Sequence, residues 1–219
     1  MRISTKSMKK PSVFLFDLDG VILDSEPLII QSWKNAHKYI SPDIEWEEEK
    51  FLNLMGQPAI AIPKGMGIPE ELHGDYVEAF RNHLNRNELP IFDDVLPVLD
   101  KIKELRIPTS IITGARTKSA VEILNDKNML HYFSEIIGAD LTTRGKPFSD
   151  PIVLTLKKLN ITMNKNVFFI GDSINDLLAA RAAGITSVLL WRKQLAIPQK
   201  MRDYADYIIP NLFSILKYI

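Results

Sequence analysis

Val13-Phe14-Leu15-Phe16 runs without a break into Asp17-Leu18-Asp19-Gly20, and this junction decides the fold. Four consecutive apolar residues suit a strand covered on both faces, the condition of a parallel sheet. The Asp and Gly that follow stop it. In an open α/β sheet the active groups gather at the carboxyl ends of the strands, so Asp17 falls where chemistry is expected. Gly20 permits a turn, which lets Asp19 swing over Asp17 instead of pointing away from it.

Working outward, further short apolar runs are expected as strands at 110–113, 135–138, 167–170, 188–191 and 207–209. Amphipathic helices lie between them. Val95, Leu96, Leu99, Ile102 and Leu105 recur at three- and four-residue spacing. Asp150 is expected to cap a helix with Pro151 at its first position, and another helix runs over 175–183 to Gly184. The alternation predicts a doubly wound parallel α/β sheet. Between about residues 27 and 89 the rhythm breaks. Ile29, Trp33, Ala36 and Ile40 make one helical stripe, and Leu72, Tyr76, Phe80 and Leu84 another, with no convincing strand. This stretch reads as an all-helical insertion after the first strand. Its acidic run, Glu45 to Glu49, suits a solvated helix start.

Composition narrows the function. The 219 residues carry 27 Lys+Arg and 27 Asp+Glu, so the basic excess of a general nucleic-acid binder is missing. There is no cysteine, which excludes disulfides, thiolate metal sites and cysteine nucleophiles. His37, His73, His83 and His131 form no close pair and are expected at or near the surface. The basic start (Arg2, Lys6, Lys9, Lys10) precedes an apolar stretch too short for a signal peptide, and no run approaches the roughly 18 residues of a membrane span. A soluble cytoplasmic protein is the simplest expectation.

Three later strand ends carry polar groups of matching kind. Thr113-Gly114 offers a hydroxyl and backbone N–H groups at a helix start, suited to a phosphate. Gly145-Lys146-Pro147 sets a lysine just ahead of a helix. Gly171-Asp172-Ser173-Ile174-Asn175-Asp176 puts two more carboxylates after an apolar strand.

These four segments, in this order, resemble the motifs of the haloacid dehalogenase (HAD) superfamily of aspartate-nucleophile phosphotransferases. Asp17–Gly20 and Gly171–Asp176 are the specific parts. The stretch Asp-Leu-Asp-Gly-Val-Ile-Leu-Asp-Ser-Glu-Pro at 17–27 looks like the β-phosphoglucomutase and phosphoglycolate-phosphatase-like branch. The resemblance implies a Rossmann-like core of residues 1–23 and 93–219 and a helical class I cap of residues 24–92. It implies Asp17 as nucleophile and Asp19 as acid and base. Thr113, the Gly114 amide and Lys146 would hold phosphate oxygens with Asp17. Mg2+ would be bound by the carboxylates of Asp17 and Asp172 and the backbone carbonyl of Asp19. Asp176 stands between an outer, water-mediated metal contact and a partner orienting Lys146.

The elementary chemistry agrees. A phosphate monoester carries about two negative charges near pH 7, and a hard divalent ion with oxygen ligands relieves its repulsion of an anionic attacker. A Mg2+-dependent phosphatase acting on a small phosphorylated metabolite is therefore expected, with no nucleic-acid or membrane partner. The alternatives are a β-phosphoglucomutase-type phosphoryl transferase and a non-catalytic phosphate-binding protein. A mutase must grip a second phosphate from the cap side, yet the loop Leu54-Met55-Gly56-Gln57-Pro58-Ala59 has no cation before Lys64. That favours the phosphatase. Trp33, Met55, Gln57 and Tyr76 are candidates for lining the cap side of the pocket.

Overall fold

The computed structural model describes residues 10–219 apart from 56, 58, 86, 87 and 194. Arg2, Lys6 and Lys9 of the basic start, and Gly56 and Pro58 of the cap loop, lie outside the described residues.

Six parallel strands make one sheet: β1 (Val13–Phe16), β2 (Thr109–Ile112), β3 (Glu135–Ile137), β4 (Val167–Gly171), β5 (Thr186–Leu190) and β6 (Tyr207–Ile209). Their order is β3-β2-β1-β4-β5-β6, all neighbours parallel. The apolar run of β1 is explained by its two faces. Phe14 and Phe16 pack with Phe168, Ile170 and Val188 on one side. Val13 and Leu15 pack with Ile112, Phe169, Ile152 and Leu156 on the other. Helices α5 (Val95–Glu104), α6 (Thr117–Asp126), α7 (Asp150–Lys158), α8 (Ile174–Ala182) and α9 (Gln199–Tyr204) connect the strands. The doubly wound parallel sheet expected from the sequence is present.

Between β1 and α5 lie α1 (Glu26–Ile40), α2 (Glu48–Leu54), α3 (Ala61–Met66) and α4 (His73–His83). They gather around a separate cluster of Trp33, Phe51, Ile62, Met66, Tyr76 and Val77. The Trp33 ring stacks on Phe80 at 4.0 Å, nearly parallel to it. The chain leaves the sheet and returns to it along adjacent tracks. Leu23 and Ile91 form an antiparallel bridge, Asp24 N–H donates to Pro90 O at 2.9 Å, and Phe92 N–H donates to Ile22 O at 3.3 Å.

Several expectations shift. Trp33 and Tyr76 are buried inside the helical cluster instead of lining a pocket, because their rings supply its aromatic centre. His37 is buried too: its Nε2–H donates to Ile44 O at 2.7 Å, leaving Nδ1 to accept from the Tyr76 hydroxyl at 2.8 Å. Ser149, not Asp150, stands at the N-cap position of α7, without a capping side-chain hydrogen bond; Asp150 lies in the first turn and takes two hydrogen bonds from Arg144. Thr113 and Trp191 fall just past their strands. Among the described residues no helix is long and apolar enough to cross a membrane.

Candidate active site

The strand order places the reversal of direction at β1. The chain moves from β1 outward to β2 and β3, then crosses to β4, β5 and β6 on the other side. A crevice opens at the carboxyl ends of strands flanking such a point. Phe16 is level with both Ile111 and Ile170, so Asp17 continues β1 between the ends of β2 and β4. Its N–H donates to Ile170 O at 2.9 Å, and its Oδ1 accepts from Leu18 N–H at 2.8 Å. Leu18, Val21, Ile22 and Leu23 are buried, which anchors the turn carrying Asp19 and Gly20.

Lys146, ahead of α7, reaches across to this end of the sheet. Its ammonium lies 2.8 Å from Asp17 Oδ2 and 2.7 Å from Asp176 Oδ1. Asp176 is only 1 % exposed, and its position is fixed twice. Ser173 and Asp176 form a reciprocal cap at the start of α8, with Ser173 N–H donating to Asp176 Oδ2 at 3.0 Å. Asp176 therefore touches Lys146 directly. Carboxylate oxygens of Asp17, Asp172 and Asp176 all lie within 4.8 Å of one another, a grouping fit for a metal ion.

The glycines beside this cluster are close-approach positions. Gly20 has φ +73°, and a Cβ there would stand 2.1 Å from Asp172 Oδ2. A Cβ on Gly171 would stand 2.2 Å from that of Asp176. Any side chain at either position displaces a carboxylate.

Three carboxylates facing one ammonium make an electrostatically unbalanced site. Burial pushes Asp17 well above the ordinary carboxylate range; Lys146 pulls it back, while Asp176 and Asp172 push it further. Burial and the Asp176 charge push Asp172 up to about 7 against the pull of Lys146 and Lys193. Burial alone would favour loss of the Lys146 proton, but the charges of Asp17 and Asp176 outweigh it and hold the ammonium. Asp19 is raised by burial and lowered by Ser25 and Lys146. The Ser25 hydroxyl approaches it without completing a well-formed hydrogen bond. Asp19 and Asp172 are only partly buried, unlike Asp17 and Asp176.

On the β2 side Thr113 is buried, its N–H donates to Ile137 O at 3.0 Å, and its Oγ1 accepts from Ala115 N–H at 3.1 Å. Around Gly114 an added Cβ would meet no atom within 4 Å. Asp140, which the sequence reading passed over, steadies this loop. Its Oδ1 accepts from Thr117 N–H at 2.7 Å and Thr117 Oγ1 at 2.8 Å, capping α6 from outside the helix. The only sequence signal for it was an acidic residue soon after a strand end.

The residues 14–190 match the haloacid dehalogenase-like hydrolases. The chain belongs to this family. Among curated proteins it is 30% identical over 216 residues to pyrophosphatase PpaX of Caldanaerobacter subterraneus subsp. tengcongensis, covering 96% of this chain and 95% of that one. It is 27% identical to the phosphorylated carbohydrates phosphatase of Thermotoga maritima, over 80% and 82% of the two chains. A haloacid dehalogenase-like hydrolase from Bacteroides fragilis superposes with a TM-score of 0.84 at 22% identity, covering 94% of this chain and all of that one. As a haloacid dehalogenase-like hydrolase, the protein is an enzyme whose motif residues meet at the sheet's switch point.

Proposed function

We propose that the protein is a Mg2+-dependent phosphatase that hydrolyses a small phosphate monoester through an aspartyl-phosphate on Asp17. The single observation carrying this reading is the convergence of Asp17, Asp172 and Asp176 around Lys146 beside the Asp19 turn. The relatives named as phosphatases support the same reaction class.

The donor set fits a hard divalent cation. It consists of oxygens alone, two of the three carboxylates are buried, and burial with the Asp176 charge pushes Asp172 up to about 7. Asp17, Asp172 and the Asp19 carbonyl would hold Mg2+, whose charge offsets the repulsion between carboxylate and phosphate.

The chain's own groups do the rest. Lys146, Thr113 and the Gly114 N–H bind phosphate oxygens and hold phosphorus in line with the Asp17 carboxylate. A carboxylate oxygen of Asp17 attacks, the bond from phosphorus to the leaving oxygen breaks, and Asp19 gives that oxygen its proton. The raised Asp19 suits a group that must arrive protonated. Asp19, now ionised, takes a proton from a water that attacks phosphorus and frees Asp17. Asp176 holds Lys146 in place and stays off the substrate.

In this reading residues 1–23 and 93–219 form the catalytic core, and residues 24–92 a helical cap that moves about the paired tracks near Leu23 and Ile91 to exclude bulk water. The test is Mg2+-dependent phosphate release from p-nitrophenyl phosphate. Asp17→Asn is expected to lower it by about a thousand-fold or more. Turnover preserved in that variant would refute the nucleophile.

A further inference from the structure

Beside Gly20 and Asp172 the crevice widens into a cavity of about 280 Å3, at the small end for a ligand site. Its wall includes Asp24 and Glu26 from the start of the helical insertion, and Trp191, Arg192 and Lys193 from the segment after β5. It adjoins the metal-type cluster, so on the phosphatase reading it receives the group that departs from phosphorus.

The charges on this wall are unequally committed. Arg192 is taken: it donates to both oxygens of Asp94 at 2.9 and 2.8 Å and lies 3.9 Å over the Phe92 ring. Lys193 meets both carboxylate oxygens of Glu26 at 2.8 Å. Asp24 has no side-chain partner among the described residues. A second anion on the substrate would therefore face an unpaired carboxylate, while both cations of this wall, Arg192 and Lys193, are already paired. A polyhydroxylated group meets no such conflict. Its hydroxyls can donate to Asp24 and Glu26 and accept from Lys193, while Trp191 offers an apolar face to its C–H groups. The Glu26–Lys193 pair remains 33 % and 41 % exposed, so opening it for a hydroxyl costs little.

We infer that Asp24, Glu26 and Lys193 form a leaving-group subsite that selects uncharged polyol or sugar phosphates over phosphates bearing a second anionic group. The inference rests on the phosphatase reading and deepens it. It also separates alternatives among the relatives, which carry names for pyrophosphate, phosphoglycolate and carbohydrate phosphates.

The experiment measures kcat/KM with Mg2+ for fructose 1-phosphate, ribose 5-phosphate, 2-phosphoglycolate, pyrophosphate and p-nitrophenyl phosphate. Wild type is expected to favour at least one sugar phosphate over 2-phosphoglycolate and pyrophosphate by about ten-fold, the size of one charge-assisted hydrogen bond. In Glu26→Gln, Lys193 loses its counter-charge. The sugar phosphate should fall and 2-phosphoglycolate rise, so the ratio drops by about ten-fold. Opposite movements of two substrates cannot come from partial unfolding. Preference for pyrophosphate or 2-phosphoglycolate in wild type, or an unchanged ratio in Glu26→Gln, overturns the subsite while leaving the phosphatase standing if p-nitrophenyl phosphate is cleaved. No release from any of the five overturns both.

Discussion

Replacing Gly20 by alanine tests whether the Asp19 turn and the acidic cluster are one device. The residue sits at φ +73°, where an L side chain is strained by about 1–2 kcal/mol. The new methyl would also stand 2.1 Å from Asp172 Oδ2 and 2.6 Å from its Cγ, where real contacts begin near 3.0 Å. Either the turn or the carboxylate must therefore give way by about 1 Å, and misplacement on that scale costs about a hundred-fold in rate. The strain lowers Tm by only a few degrees in a chain of this size, about 2–8 °C. Gly20→Ala is thus expected to stay folded, to need much more Mg2+ for half-maximal phosphate release, and to lose about two orders of magnitude at limiting Mg2+. Thermal unfolding and a Mg2+ titration of p-nitrophenyl phosphate cleavage measure both halves. Activity within about threefold of wild type, with Mg2+ demand unchanged, would show that Asp172 does not work from the position it holds here.

Other expectations concern the supports of the site. Lys146→Met leaves buried Asp17 and Asp176 without their shared cation; stability should fall by about 3–5 kcal/mol in urea titrations, and a loss under about 1 kcal/mol would deny the pairing its structural role. Asp140→Ala removes the external cap of α6 and should cost about 1 kcal/mol while raising KM more than it lowers kcat; unchanged KM would separate Asp140 from the phosphate loop. The Tyr132 hydroxyl donates to Asp100 at 2.6 Å, and this bond, with burial and the Asp100 charge, pushes the phenol up to about 12. A folded value above the unfolded one of about 10 means stability that is complete below about pH 10 and lost as pH rises through about 12. The denaturation midpoint of wild type should therefore exceed that of Tyr132→Phe at about pH 8 and approach it near pH 11; a constant gap would refute the linkage.

What the sequence disclosed and what it withheld have a common physical origin. The strands were readable because burial on both faces leaves only apolar residues, as in Phe14 and Phe16 against Val13 and Leu15. The acidic and basic motif residues were readable because strand ends are where such groups collect. Contacts between distant segments were not. Asp140 holds Thr117 across the gap between two strand ends, and Lys193 meets Glu26 across the cavity, in neither case with a local pattern to announce it. The stripes containing Trp33 and Tyr76 fixed helices correctly but not their orientation, so pocket wall and helical core looked alike until the Trp33–Phe80 stack was seen.

The side-by-side tracks at Leu23 and Ile91 give the helical insertion a single doorway. Because the chain departs and re-enters at one spot, joining the two sides directly would require only a short loop, whose closure costs little entropy. The sheet needs no part of the insertion to complete its strand order. Lineages can therefore lengthen, trim or exchange what hangs outside that doorway while the phosphorus chemistry behind it stays as it is.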